Sequence, residues 1–208
     1  MLLESGASFE KVDVNLKQKE PHFTSLYIRS LGANEGSDGK VPIIEDNGFV
    51  LCESAVVASY VDEVYFQSKL SGKNAKDRAR IAIFNDQIGS RVMMKFYPYL
   101  MTVEAEAQNK AKNDFESALT ALEGALGQCG GPFVLGELPS LADTNLWPFL
   151  LRAEIVLGHY RNWKLDTERY SNVAKYMNAM RTLKCVKEST VDPNVFISGY
   201  EDYANGKK

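Results

Sequence analysis

The sequence has few of the residues that build metal, disulfide or nucleotide sites. Its three cysteines, Cys52, Cys129 and Cys185, lie far apart, and no Cys-x-x-Cys pair occurs. Such a small, odd set is typical of reduced thiols in an intracellular protein rather than of a disulfide framework. Neither histidine, His22 or His159, has a cysteine or carboxylate at metal-ligand spacing, and no glycine-rich nucleotide loop is present. These absences argue against a metal site, a Ser-His-Asp hydrolase and a nucleotide-binding protein.

Long apolar runs and a strong net charge are also missing. No stretch approaches the ~20 apolar residues of a membrane span, and the opening Met-Leu-Leu is followed at once by polar residues. A signal peptide would need an apolar core there. The net charge of −3 argues against a general nucleic-acid binder. With 208 residues, 45% of them hydrophobic, the chain is expected to be a soluble, cytoplasmic protein of one or two domains, with neither membrane nor nucleic acid as a partner.

The most informative stretch lies between residues 40 and 65. Two short runs of β-branched or aromatic residues flank Asn47-Gly48, which supplies the positive-φ residues of a tight hairpin. The second run leads directly into a helix that begins near Ser54. Apolar residues then recur at helical spacing and form one face: Val57, Tyr60, Val61 and Val64.

Two residues of this stretch have a structural and a functional interpretation. Ser54 lies at a helix start, where unpaired N–H groups favour a carboxylate or phosphate, but serine is also an ordinary helix cap. Pro42 opens the first strand, where a cis bond would turn the Val41 peptide group towards an extended ligand. Most X-Pro bonds are trans, so the residues alone leave both interpretations open.

The order Val-Pro, hairpin, Glu-Ser, amphipathic helix resembles the cytosolic glutathione transferase superfamily, in which this segment closes a thioredoxin-like domain and holds glutathione. The resemblance implies that Val41 pairs with the cysteinyl backbone of glutathione and that Pro42 is the cis proline. Glu53 and Ser54 would hold the γ-glutamyl end, with Ser54 and its helix N-terminus binding the carboxylate. Lys40 completes the implied glutathione-binding set.

Helical patterns replace strand patterns in the second half of the chain. Residues 75–100 and 105–126 each predict an amphipathic helix. Ser140 and Asp143 have the spacing of a capping box, which predicts a fold-setting role for Asp143 rather than a chemical one. The same Ser-x-Ala-Asp box begins the central helix of the second domain in glutathione transferases. The Trp-Pro-Phe at residues 147–149 resembles the omega-like branch.

The predicted fold is a thioredoxin-like α/β domain over residues 1–65, a linker over 66–74 and an all-helical bundle over 75–208. The first domain is expected to be incomplete, with its opening strand absent, because the first residues resemble the last turn of a helix closed by Gly6. Alternation over residues 9–16 predicts a half-buried strand. In the resembling family, the catalytic Cys, Ser or Tyr lies in the part expected to be absent. The catalytic residue is therefore unknown and expected to be missing from this chain.

The resemblance implies a glutathione transferase that uses glutathione as cosubstrate. Omega-like chemistry would be glutathione-dependent thiol transfer or reduction. The other possible chemistry is conjugation of glutathione to an electrophile. The implied partners are a small electrophilic or disulfide substrate and a second copy of the chain in a homodimer. The alternative is a non-catalytic glutathione-transferase-like binding or scaffold module.

The sequence leaves the role of one cysteine and of four aromatic residues open between two interpretations each. Cys52 directly precedes the Glu-Ser pair and could be a nucleophile, although alternation along the strand favours a small buried thiol. Four aromatic residues of the helical half could line a second-substrate pocket or form core, namely Phe96, Tyr97, Tyr99 and Trp147.

Overall fold

The computed structural model describes residues 1–31 and 39–207. The polar, glycine-containing sequence at 33–39 predicts a loop, and most of it lies outside the described residues. The chain forms two compact units, residues 1–69 and residues 70–208. The first contains the small sheet and the second is helical, so the predicted thioredoxin-like domain followed by a helical domain is confirmed. The domain bounds given above stay a prediction.

In its described residues, the first unit consists of three helices and a hairpin. Its elements are α1 (Leu2–Ser5), α2 (Pro21–Leu31), β1 (Ile43–Asp46), β2 (Phe49–Cys52) and α3 (Ser54–Tyr65). The strands pair antiparallel, with Ile43 opposite Cys52 and Asp46 opposite Phe49. Asn47 and Gly48 form the turn with φ of 49° and 86°. The hairpin leading into a helix is therefore as predicted from the Asn-Gly signal.

The core of this unit lies between the hairpin and the helices α2 and α3. Its buried apolar residues are Phe23, Tyr27, Val50, Cys52 and Val61. Gly39 has a φ of 70°, and a Cβ there would approach Cε1 of Phe23 to 2.9 Å. A glycine is required because the chain passes directly over these rings as it enters the hairpin.

The strand predicted over residues 9–16 is wrong. The segment is irregular, and Val12 and Leu16 are 74% and 56% exposed. A strand forms only where its main-chain groups pair with a neighbouring strand. Among the described residues the sheet contains β1 and β2 alone, so this segment has no strand to pair with.

The second unit is built from eight helices in its described residues. They are α4 (Ala75–Phe84), α5 (Ser90–Met101), α6 (Ala105–Gly127), α7 (Leu141–Arg152), α8 (Gly158–Arg161), α9 (Ser171–Thr182), α10 (Lys184–Ser189) and α11 (Pro193–Ala204). π-Helical turns at Asn85–Gly89 and Ala153–Leu157 join α4 to α5 and α7 to α8. The helix predicted over 75–100 is thus two helices, and the second passes through Pro98 before it ends at Met101.

The core of the second unit is formed by α5, α6, α7 and α9. Phe96, Leu100, Phe115, Leu119 and Leu122 are all fully buried. Phe115 and Trp163 meet edge to face, with ring centroids 5.4 Å apart. The stripe predicted for the helix at 105–126 therefore faces the core of the bundle. No helix in the described part of the chain is both long and apolar enough to cross a membrane.

Asp143 fixes the start of α7 from within this core. Its carboxylate is fully buried and accepts hydrogen bonds from the main-chain N–H of Ser140 at 2.7 Å and of Val134 at 3.0 Å. The Ser140 hydroxyl donates to the same carboxylate at 2.7 Å. The predicted capping box is present. The carboxylate also ties the preceding loop to the helix, which the box pattern does not reveal.

Candidate functional site

The residues predicted to bind glutathione come together at the open end of the hairpin. Because Ile43 pairs with Cys52, the next residues outward, Pro42 and Glu53, follow the last pair of the ladder on neighbouring strands. The Val41–Pro42 peptide bond is cis, as the resemblance implied. Ser54 follows Glu53 as the first residue of α3. The chain thus places both parts of the predicted set at one edge.

All five residues of the predicted set are exposed: Lys40, Val41, Pro42, Glu53 and Ser54. Val41 is 48% exposed although it is an aliphatic residue beside a strand. An exposed apolar and cationic edge next to a helix start is available to a ligand. Their individual roles toward glutathione stay a prediction.

The junction between β2 and α3 has an unusual main chain. Glu53 has φ of 68° and ψ of 112°, a conformation that side-chain-bearing residues rarely adopt. Its side chain makes no capping bond to the helix. Within the described residues, the main-chain N–H groups of Ser54, Ala55 and Val56 have no hydrogen-bond acceptor. Three free donors at the positive end of a helix form a favourable place for a carboxylate.

A second cluster of polar groups lies at the other end of the hairpin and was missed from the sequence. The Asp46 carboxylate accepts hydrogen bonds at Oδ2 from the hydroxyls of Tyr60 at 2.8 Å and Tyr65 at 2.6 Å. These bonds hold the pKa of Asp46 below its ordinary value, and the bond to Asp46 raises the pKa of Tyr65 to about 12. The Tyr60 ring packs on Phe49, with centroids 5.4 Å apart. The bonded residues are 14 and 19 positions apart, so no local motif indicates the cluster.

The cysteine next to the site is buried. Cys52 is 3% exposed, which confirms the interpretation as a small core thiol and leaves its sulfur inaccessible to a substrate. Cys129 is half-buried, and burial raises the pKa of its thiol above the ordinary value. Within the described part of the chain, no group of three or more His, Cys, Asp or Glu residues is placed to hold a metal ion.

For three of the four aromatic residues, the structure decides between a place in the core and a place in a substrate pocket. Phe96, Tyr99 and Trp147 are buried and belong to the helical core. Tyr97 is half-buried and lies beside Tyr200 on α11, with the ring centroids 6.3 Å apart. Burial raises the pKa of Tyr200 far above its ordinary value.

Two family models match the chain. The glutathione S-transferase N-terminal domain matches residues 1–63, and the glutathione S-transferase C-terminal domain matches residues 104–179. A probable glutathione S-transferase from Nicotiana tabacum is 31% identical over 173 residues, which cover 82% of this chain and 68% of that protein. The chain belongs to the glutathione transferase superfamily.

Other proteins similar to this chain indicate its branch of the superfamily. Glutathione S-transferase DHAR2 from Arabidopsis thaliana is 29% identical over 169 residues, covering 81% of this chain and 73% of that protein. The crystal structure of glutathione transferase Omega 3C from Trametes versicolor has a TM-score of 0.81 at 25% identity, and the match covers 97% of this chain and 82% of that one. The predicted omega-like branch agrees with these relatives. The chain spans about half to three quarters of the length of the first curated relatives it matches.

Proposed function

We propose that this chain binds glutathione at the open end of its hairpin, at a site of the kind used for glutathione-dependent thiol transfer or reduction of the omega type. The observation that carries the proposal is the junction at Glu53. It presents three unpaired helical N–H groups beside an exposed strand edge that contains the cis Val41–Pro42 bond. Relatives whose names describe glutathione transferases, one of them of the omega class, favour this function over a non-catalytic scaffold.

The γ-glutamyl end of glutathione fits the helix start. Its α-carboxylate would accept hydrogen bonds from the first N–H groups of α3 and from the Ser54 hydroxyl, and the helix dipole would favour its charge. The Glu53 carboxylate, which makes no capping bond, is free to accept from the α-ammonium group. Val41 would pair with the cysteinyl main chain, as a strand edge does with an extended peptide. Lys40 is exposed beside it and offers a charge for a second carboxylate.

The chemistry proposed for this site is the reduction of a disulfide or of a small oxidised substrate. Two glutathione molecules would lose two electrons and two protons and form a disulfide, and the substrate would gain them. Dehydroascorbate is one small oxidised substrate of the kind that an omega-like enzyme would reduce. Conjugation to an electrophile would use the same glutathione-binding residues.

We also propose that the described residues supply the binding surface and not the group that activates the glutathione thiol. Cys52, the cysteine nearest to the site in sequence, is buried. Thiol activation needs a helix N-terminus or hydroxyl at the sulfur. In the binding mode proposed above, the start of α3 and the Ser54 hydroxyl bind the γ-glutamyl carboxylate instead. Turnover by the 208-residue chain is therefore expected to be near background and unchanged in Cys52→Ser. Strong turnover that Cys52→Ser abolishes would make Cys52 the nucleophile.

The experiment that tests the proposed binding compares two peptides by NMR titration of the first-turn amides of α3. Glutathione should shift these signals, and cysteinylglycine, which lacks the γ-glutamyl group, should not shift them at the same concentration. Equal signal shifts with the two peptides would show that the helix start does not bind the γ-glutamyl group.

The oligomeric state and the cellular location of the protein are proposed from its family membership. As a glutathione transferase the chain is expected to form a homodimer and to act in the cytoplasm. Sedimentation that shows a monomer at micromolar concentration would contradict the dimer.

A further inference from the structure

The cluster around Asp46 connects the hairpin to the far half of α3. Asp46 is the last residue of β1, and its Oδ2 atom accepts hydrogen bonds from both Tyr60 and Tyr65. Its Oδ1 atom accepts from the side-chain amide of Asn47 at 2.9 Å. Phe49, the strand partner of Asp46, packs against the Tyr60 ring. Thus the tip of the hairpin holds α3 by two hydroxyls and one ring contact.

The near end of α3 is joined to the hairpin by a single residue. Glu53 stands between the end of β2 at Cys52 and the start of α3 at Ser54. At a rise of 1.5 Å per residue, Tyr60 and Tyr65 lie about 9 and 16 Å along the helix from Ser54. The Glu53 main chain and the Asp46 bonds therefore hold the two ends of α3 against the hairpin, in addition to the core packing of Val61 between them.

The two attachments depend on each other. A residue with a side chain at a φ of 68° and ψ of 112° is strained, and such a conformation persists only where the surrounding structure holds it. If α3 were free to tilt, Glu53 could relax towards an ordinary conformation. The directions of the N–H groups of Ser54, Ala55 and Val56 would then change, because they belong to the first turn of the same helix.

We propose that Asp46 is a positioning residue for the glutathione-binding site, acting through Tyr60 and Tyr65 to hold the Glu53–Ser54 junction in its strained, ligand-binding conformation. The inference rests on the proposed function and adds a residue at the opposite end of the hairpin to it. Asp46 does not touch the ligand in this proposal. It acts by fixing the helix whose first turn does.

Two measurements on Asp46→Ala test this proposal. The first is hydrogen exchange at the Val57 amide in the ligand-free protein. The N–H of Val57 donates to the Glu53 carbonyl at 2.8 Å. We expect exchange about tenfold faster than in the wild type. The second is the dissociation constant for glutathione at a temperature where both proteins are folded, which we expect to rise about tenfold. Asp46→Asn keeps an acceptor oxygen and should recover most of both effects.

The matched control is Tyr160→Phe, which removes a hydroxyl that donates to the Ile197 carbonyl at 2.7 Å in the helical unit. It should leave Val57 exchange and glutathione affinity unchanged. If Asp46→Ala does not fold, Tyr65→Phe removes one bond of the cluster and should give the same pattern with a smaller effect. Wild-type exchange and affinity in Asp46→Ala or in a folded Tyr65→Phe would overturn the proposal. A wild type that does not bind glutathione would overturn the proposed function instead, and the exchange measurement would still decide whether Asp46 holds the junction.

Discussion

Replacing Asp143 by alanine should destabilise the helical unit strongly. The carboxylate is fully buried and holds the start of α7 and the loop before it, through the main-chain N–H groups of Ser140 and Val134. In Asp143→Ala both donors would remain buried without an acceptor.

The magnitude follows from these two bonds. Loss of the helix cap at Ser140 costs about 0.5–2 kcal/mol. Leaving the buried N–H of Val134 unsatisfied adds about 1–3 kcal/mol. We therefore expect the free energy of unfolding to fall by about 1.5–5 kcal/mol, which is a large part of the ~5–15 kcal/mol that stabilises a typical protein. Asp143→Asn keeps one acceptor oxygen and should lose less.

Urea unfolding followed by tryptophan fluorescence measures this decrease in the free energy of unfolding, and it does so in the helical unit. Both tryptophans, Trp147 and Trp163, are buried in the helical unit, so the signal reports on that unit. Asp114→Asn is the matched control, because Asp114 is 46% exposed and pairs with Lys95 on the surface; its effect should stay within about 0.5 kcal/mol. A similarly small effect of Asp143→Ala would refute the reasoning.

The pH dependence of the same variant has a definite sign. Burial raises the pKa of the Asp143 carboxyl above its ordinary value of 3.8, so the folded chain holds this proton more tightly than the unfolded chain. The stabilising contribution is full below the unfolded pKa and is lost as the pH rises through the folded pKa. The difference in free energy of unfolding between wild type and Asp143→Ala should therefore be larger near pH 4 than near pH 8.

Two other variants test contacts that hold helix ends in the same unit. The Arg161 guanidinium donates to the carbonyls of Leu100 and Ala204, so Arg161→Ala should lower the free energy of unfolding by about 1.5–3 kcal/mol and speed hydrogen exchange at the end of α11; wild-type exchange there would contradict this role. Glu123 of α6 accepts from the main-chain N–H of Val173 at 2.9 Å, so Glu123→Ala should cost about 0.5–2 kcal/mol in a thermal melt, and an unchanged melting temperature would show that the start of α9 needs no cap.

Local signals were sufficient for much of the fold. The Asn47-Gly48 turn gave the hairpin, and the box at Ser140 gave the start of α7, because each is set by residues within a few positions of one another. The edge containing Val41 and Glu53 could be predicted for the same reason. It is formed by one hairpin and one helix start that follow each other directly in the chain.

Features that depend on distant residues could not be predicted in this way. The alternation at residues 9–16 looks like a strand, but a strand also needs a partner, which periodicity does not supply. Asp46 meets tyrosines 14 and 19 positions away, and Arg161 meets carbonyls 43 and 61 positions away. Only the folded chain brings these groups together.

Glutathione binding by Ser54→Ala, compared with Ser59→Ala, tests the central claim most directly. Ser59 lies on the same helix and its exposed hydroxyl donates to the Ala55 carbonyl at 3.0 Å, away from the helix start. Since the described sheet has only two strands, we expect weak wild-type binding, with a dissociation constant on the order of 1 mM. Loss of one hydrogen bond to a carboxylate should weaken it at least about tenfold in Ser54→Ala and leave it unchanged in Ser59→Ala. Equal affinities in all three proteins would contradict a glutathione site at this helix start.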